Sequence, residues 1–242
     1  MWQKKIGGFS LHDLFWTFVV GCMIGVFVEQ VFIYIAVGVM ESRVGLIVGP
    51  FNPIYGVGAV VMLLCLYRFR RWPALLMAVS ALCGSAIEYV FSFCEETFFG
   101  TRSWDYSNEP FNLNGRICLK YAFYWAVLGA LFIYFIYPAL SKLIGLIRGN
   151  VGNILSWTML IFLIVDMILS AAAVARYKQR YFDPVPHSVV DQILDEAYPD
   201  DKIEKIFPSM KKSREQFGLI ESGDSIEKKE NDTGKAESSQ AA

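Results

Sequence analysis

Apolar residues fill most of the first 175 positions and polar ones the remainder, and the apolar runs have the length of membrane spans. A helix needs roughly 20 apolar residues to cross a bilayer, and segments 14–40, 74–94, 121–140 and 151–175 meet that length. A fifth run, Val44 to Tyr67, carries no charged side chain, yet it contains the stretch GPFNPIYGVG at 49–58. Pro50 and Pro53 each remove an amide donor, and Asn52, preceding a proline, is biased toward extended backbone. Regular helix from Ile54 to Tyr67 would be only about 21 Å long at 1.5 Å per residue, short of the roughly 30 Å hydrocarbon core. Two readings stay open. Non-helical chain from Gly45 to Pro53 completes the crossing where protein buries it or a polar cavity receives it, or residues 41–53 form an interfacial loop over a short, tilted helix. The pattern predicts an all-α, polytopic membrane bundle of about five transmembrane helices, one broken by the Gly/Pro segment.

Past residue 175 the character changes. Val189, Val190, Ile193, Leu194 and Ala197 recur at helical spacing, which predicts a short amphipathic helix. Beyond Glu221 almost nothing apolar remains and disorder is expected. The chain thus divides into a transmembrane domain (1–175), an amphipathic and polar tail (176–220) and a disordered tail (221–242). Composition agrees: 55% of residues are hydrophobic and 15% aromatic, as in a bilayer protein. Residues 1–175 hold only 11 of the 22 Lys and Arg and 9 of the 23 Asp and Glu. The tail has no basic patch for nucleic acid. The first run, behind Lys4 and Lys5, is too long for a signal peptide and reads as a retained span. Loop charge does not fix the topology, because five crossings leave seven basic residues on each side; two short basic loops favour an inside N-terminus.

Five cysteines are an odd number, and Cys22, Cys65 and Cys83 lie within apolar runs as packing residues. Cys94 and Cys118 flank a polar loop and would pair only in an oxidising compartment. There is no C-x-x-C, and His12 and His187 fall outside the predicted spans, so neither a metal site nor a cofactor is expected. Phosphate-loop, H-E-x-x-H and G-x-S-x-G signatures are absent too.

Three acids fall inside spans: Glu29, Glu88 and Asp166. A charge at the bilayer centre costs about 2.5–3.5 kcal/mol by the lower estimates, so these acids should face protein. Spacing supports this, since Gly21, Gly25 and Glu29 share one helix face, as do Ser80, Gly84, Glu88 and Ser92, with Glu95 continuing the second stripe. The acids either line a polar path for a cation, a proton or a polar substrate, or act as hydrogen-bonded glue between helices. The loop after the third span mixes Glu95, Glu96, Arg102, Trp104, Asp105 and Tyr106 with Asn114, Gly115 and Arg116. It either caps a cavity, with Arg102 or Arg116 balancing the acids, or anchors at headgroup level.

Gly49-Pro50, Pro53-Ile54-Tyr55-Gly56, Glu88-Tyr89, Trp104-Asp105-Tyr106-Ser107 and Asn114-Gly115-Arg116-Ile117-Cys118 follow one another in this order. The ordered set, over roughly residues 15–140, resembles the bacterial CmpB-like family of ABC-transporter permeases labelled type IV. In that family a basic residue and a glycine precede the Gly-Pro, positions that Arg43 and Gly45 supply. A cysteine often stands where this chain has Asn52, so the resemblance implies that the Gly/Pro frame matters more than the amide. It further implies a permease or accessory subunit in a bacterial plasma membrane. The reading that joins this to the residues puts Glu29, Asn52, Tyr55, Glu88, Glu95, Trp104, Asp105 and Arg116 along the substrate path. Gly49, Pro50, Pro53, Gly56, Asn114 and Gly115 would shape it. The lipid bilayer and a partner ATPase or another transporter subunit would be its partners. Two other readings remain from the residues alone: an intramembrane enzyme using Glu88, Glu95, Glu96 and Asp105, its catalytic residues unknown, and a non-catalytic organiser whose tail recruits a soluble partner.

Overall fold

Each long apolar run folds as helix. The computed structural model describes residues 2–99 and 104–208, with the side chains of all of these except Ala36, Glu95, Phe98 and Phe99. A short hairpin, β1 (Lys5–Ile6) with β2 (Phe9–Ser10), leads into α1 (Leu11–Val37). Next come α2 (Pro53–Leu66), a 3-10 turn (Tyr67–Phe69) and α3 (Pro73–Phe99). A second hairpin, β3 (Asn112–Leu113) with β4 (Ile117–Cys118), opens into α4 (Leu119–Leu131). A π-helical turn (Phe132–Ile136) joins α4 to α5 (Tyr137–Leu146), and α6 (Gly149–Phe182), α7 (Val189–Ala197) and α8 (Asp200–Ile206) follow. The π turn precedes Pro138, whose missing N–H such local widening accommodates.

Among the described residues, four segments are long and apolar enough to cross a membrane: Leu11–Ile35, Pro73–Cys94, Leu119–Leu146 and Gly149–Phe182. Pro53–Phe69 is a shorter apolar helix, below the length of these spans. Large apolar side chains such as Phe27, Phe135 and Ile168 stand exposed, as lipid-facing residues must. This is a polytopic helical membrane bundle.

The break is built from both ends. α1 stops at Gly38, whose φ of 76° is the left-handed conformation that terminates helices. At the other end Asn52 is extended (φ −132°, ψ 109°), and its side-chain oxygen accepts from the Ile54 amide at 3.2 Å. Pro53 takes the first helical position, where its missing N–H costs nothing. Asn52 is therefore the N-cap of α2, an individual role that the proline frame had obscured. Asn52→Ala is expected to lower stability by about 1 kcal/mol and Pro53→Ala by about 0.5 kcal/mol. Thermal unfolding in detergent checks the order, and a larger loss from Pro53→Ala would remove the cap from this account.

The chain forms two compact units, Met1–Val28 with Pro50–Ile164, and Glu29–Gly49 with Val165–Ala242. In the first, Phe9, Leu14, Leu63, Leu66, Leu76, Ile133 and Tyr137 form the core. Gly25 lets α1 and α2 touch: a Cβ there would lie 2.2 Å from the Tyr55 ring. Gly56 likewise meets Phe18 and Cys22.

In the second unit α7 and α8 close over the end of α6 around Ala173, Tyr177, Leu194, Ile203 and Phe207. The predicted amphipathic helix is α7, opened by a Ser188–Asp191 capping box. Of its apolar face only Leu194 is buried, while Val189, Val190 and Ile193 are exposed. Arg176 forks onto Asp195 with contacts of 2.9 and 2.7 Å, and Arg180 bridges Asp195 to Asp200. The Arg176 and then the Arg180 hydrogen bonds hold the Asp195 carboxyl down to about 2. The tail at 221–242 lies outside the described residues. Cys94 and Cys118 are both free thiols.

Candidate functional site

Helical periodicity places Ser80, Gly84, Glu88, Ser92 and Glu96 on one line along α3, and each one of them meets a partner. The Ser80 hydroxyl donates to the Trp125 carbonyl at 2.6 Å. A Cβ on Gly84 would stand 2.3 Å from the Trp125 ring, so only glycine leaves room for that indole against α3. The indole N–H then reaches Oε2 of Glu88 at 3.0 Å, and the Tyr106 hydroxyl donates to Oε1 at 2.8 Å. One turn on, Ser92 Oγ accepts from Arg116 at 3.3 Å, and Glu96 pairs with the same guanidinium.

The loop that supplies Tyr106 and Arg116 is shaped by a tight turn. Asn114 and Gly115 both have positive φ (54° and 67°), a conformation Asn and Gly tolerate best. The Arg116 amide closes the turn onto the Leu113 carbonyl at 3.0 Å, and the Asn114 side chain donates to the Tyr89 hydroxyl at 2.9 Å. This directs Arg116 inward: it is 8% exposed, with the Tyr89 and Phe93 rings 5.6 and 5.5 Å from its Cζ. Trp104 donates through its indole to the Arg116 carbonyl at 2.9 Å, and the Tyr106 amide donates to the Gly115 carbonyl at 2.7 Å. Trp104 stacks on Phe91, and Tyr106 on Tyr121 with centroids 4.4 Å apart. Burial, and then the Glu88 carboxylate beside it, push the Tyr106 hydroxyl far above its usual range. It stays protonated and keeps donating.

The structure thus gathers Glu88, Trp104 and Arg116 around one loop. Asp105 lies on that loop and accepts from the Ser107 amide and hydroxyl at 2.9 and 2.5 Å. Asn52 caps α2 and Tyr55 packs on Gly25. Glu29 belongs to the other unit, where the Arg43 guanidinium lies 3.8 Å away. Asp166, the third intramembrane acid, accepts the Val48 amide at 3.1 Å, while Ser170 accepts the Ile47 amide at 2.9 Å. Both therefore hold the broken segment. The Glu95 side chain and Arg102 lie outside the described residues. Sequence reasoning did not identify Tyr106 and Trp125 as the two donors to Glu88, nor Arg43 as the partner of Glu29. Only Gly84, one turn before Glu88, signals that something bulky must pack there.

No curated protein and no solved structure matches this chain. A family model described as Putative ABC-transporter type IV matches residues 16–171, from α1 into α6, and spans the whole α3 line and its loop. Covering well over half of the chain, that match makes this multi-pass membrane protein a member of the ABC_trans_CmpB family.

Proposed function

We propose that the protein is a transporter permease, or its accessory subunit, in which Glu88 binds the transported cation, proton or polar amine. One observation carries this reading. Both oxygens of Glu88 rest on neutral donors, Tyr106 and Trp125, and among the described residues no Lys or Arg pairs with it. The nearby Arg116 is occupied by Ser92 and Glu96. A carboxylate at membrane depth that is steadied but not neutralised takes its counter-charge from what it binds. Glu29, by contrast, already has Arg43 beside it.

In this reading Trp104, Asp105 and Arg116 close the end of the path, and the Arg116–Glu96 pair is the contact that yields when the path opens. A partner ATPase or an ion gradient in a bacterial plasma membrane supplies the energy. Proteoliposomes containing the full-length protein and a trapped pH dye test it. Wild type is expected to move protons or methylammonium, and Glu88→Gln to reduce that flux by about tenfold, or 1.4 kcal/mol in barrier, with little change in melting temperature. A Glu88→Gln variant equal to wild type ends the proposal, and a wild type that moves neither under an imposed ion gradient ends its gradient-driven form.

A further inference from the structure

A second polar feature of the first unit lies away from the α3 line. The 3-10 turn after α2, the π-helical turn and the start of α5 line an open cavity of about 630 Å³, within the size range of small-ligand pockets. Arg70, Arg71 and Lys142 line it, together with Tyr67, Tyr134 and Ser141, and no acid does. Arg70 is fixed on three counts. Its Cζ lies 4.2 Å from the centre of the Tyr67 ring, its Nη1 donates to the Tyr67 carbonyl at 3.3 Å, and its own carbonyl accepts from the Tyr134 hydroxyl at 2.9 Å. Arg71 and Lys142 are exposed and donate to no acceptor among the described residues. Three cations around one space repel each other, and an anion held between them removes that repulsion.

Position narrows the class of anion. Arg70 and Arg71 stand just before the span that begins at Pro73, and Lys142 stands just before the end of the span that closes at Leu146. Exposed Trp72, Phe135 and Leu143 flank them with apolar surface. Basic side chains among exposed aromatics at the ends of spans sit at headgroup depth, where basic pockets between helices hold phosphate-bearing lipids. Arginine forks and hydroxyl donors both suit phosphate oxygens.

We propose that the Arg70–Arg71–Lys142 cavity binds a phosphate group, carried by the headgroup of an anionic lipid. The test is native mass spectrometry of the full-length protein in detergent micelles doped with equal phosphatidylglycerol and phosphatidylcholine. Wild type is expected to retain phosphatidylglycerol in about tenfold excess. The double variant Arg71→Gln/Lys142→Gln should lose that excess, whereas Lys4→Gln/Lys5→Gln, which removes two exposed cations elsewhere, should keep it. Circular dichroism confirms that both variants fold, since all four side chains are exposed. Millimolar inorganic phosphate separates the sources. Retention unaffected by it assigns the site to the lipid, and displacement assigns the same phosphate site to the free anion. Equal retention of the two lipids by wild type, an excess that survives in Arg71→Gln/Lys142→Gln, or one lost as well in Lys4→Gln/Lys5→Gln overturns the proposal.

Discussion

Gly84→Leu is expected to destabilise the protein by about 3 kcal/mol, at the upper end of what overpacking costs, and to detach Glu88 from Trp125. The atoms a new side chain would meet are Cγ and Cδ2 of Trp125 at 2.3 Å and its Cβ at 2.7 Å. The Cβ cannot swing aside, so α3 and α4 must separate along the line where Ser80 also bonds the Trp125 carbonyl at 2.6 Å. Small residues hold membrane helices together by letting such surfaces approach, because lipid offers little hydrophobic drive for association. Gly58 is the internal control: a Cβ there meets nothing within 4 Å, and Gly58→Ala should stabilise by about 0.5 kcal/mol through helix propensity. Melting followed by tryptophan fluorescence in detergent reads both. A Gly84→Leu protein that melts with wild type would show that the α3–α4 contact is not tight.

The second large effect concerns a different kind of bond. Asp166 is 2% exposed, and its Oδ1 accepts from the Val48 amide and from Ser170. Asp166→Leu is expected to cost about 1–2 kcal/mol, because it takes away the acceptor of the part-buried Val48 amide and of the Ser170 hydroxyl. Asp166→Asn keeps an acceptor in the same place and should cost about 1 kcal/mol or less. Amide hydrogen exchange at Val48 separates the cases: fast in the leucine variant, near wild type in the asparagine one. Equal damage from both would mean that the charge of Asp166, and not its hydrogen bond, is what the fold uses.

These two residues also mark how far the sequence could be read. Ser80, Gly84, Glu88 and Ser92 were legible as one face because a helix fixes which positions align, and the structure adds Glu96 by the same arithmetic. The spans were legible because crossing a bilayer demands length and apolarity, and the break because two prolines remove donors wherever they occur. The predicted start of regular helix, Ile54, lies one residue from the observed Pro53. What faces these features was not legible. Trp125 comes 37 residues after Glu88 and Arg43 comes 14 after Glu29. Such pairings are set by how helices pack, and they leave no local pattern. The Val48 amide that Asp166 receives carries no sequence signal for the same reason, since backbone amides are present at every position. The π turn before Pro138 was missed too, since a proline alone does not say how its helix will adjust.

The distance between Val48 and Asp166 also sets an order of events during synthesis. Val48 leaves the ribosome 118 residues ahead of the acid that receives its amide. At about 5–20 residues per second, that is roughly 6–24 s during which the broken segment has no Asp166 to bond. Its bonds to Asp166 and Ser170 form only once α6 has arrived, so biogenesis of this bundle finishes with a late helix fixing an early gap.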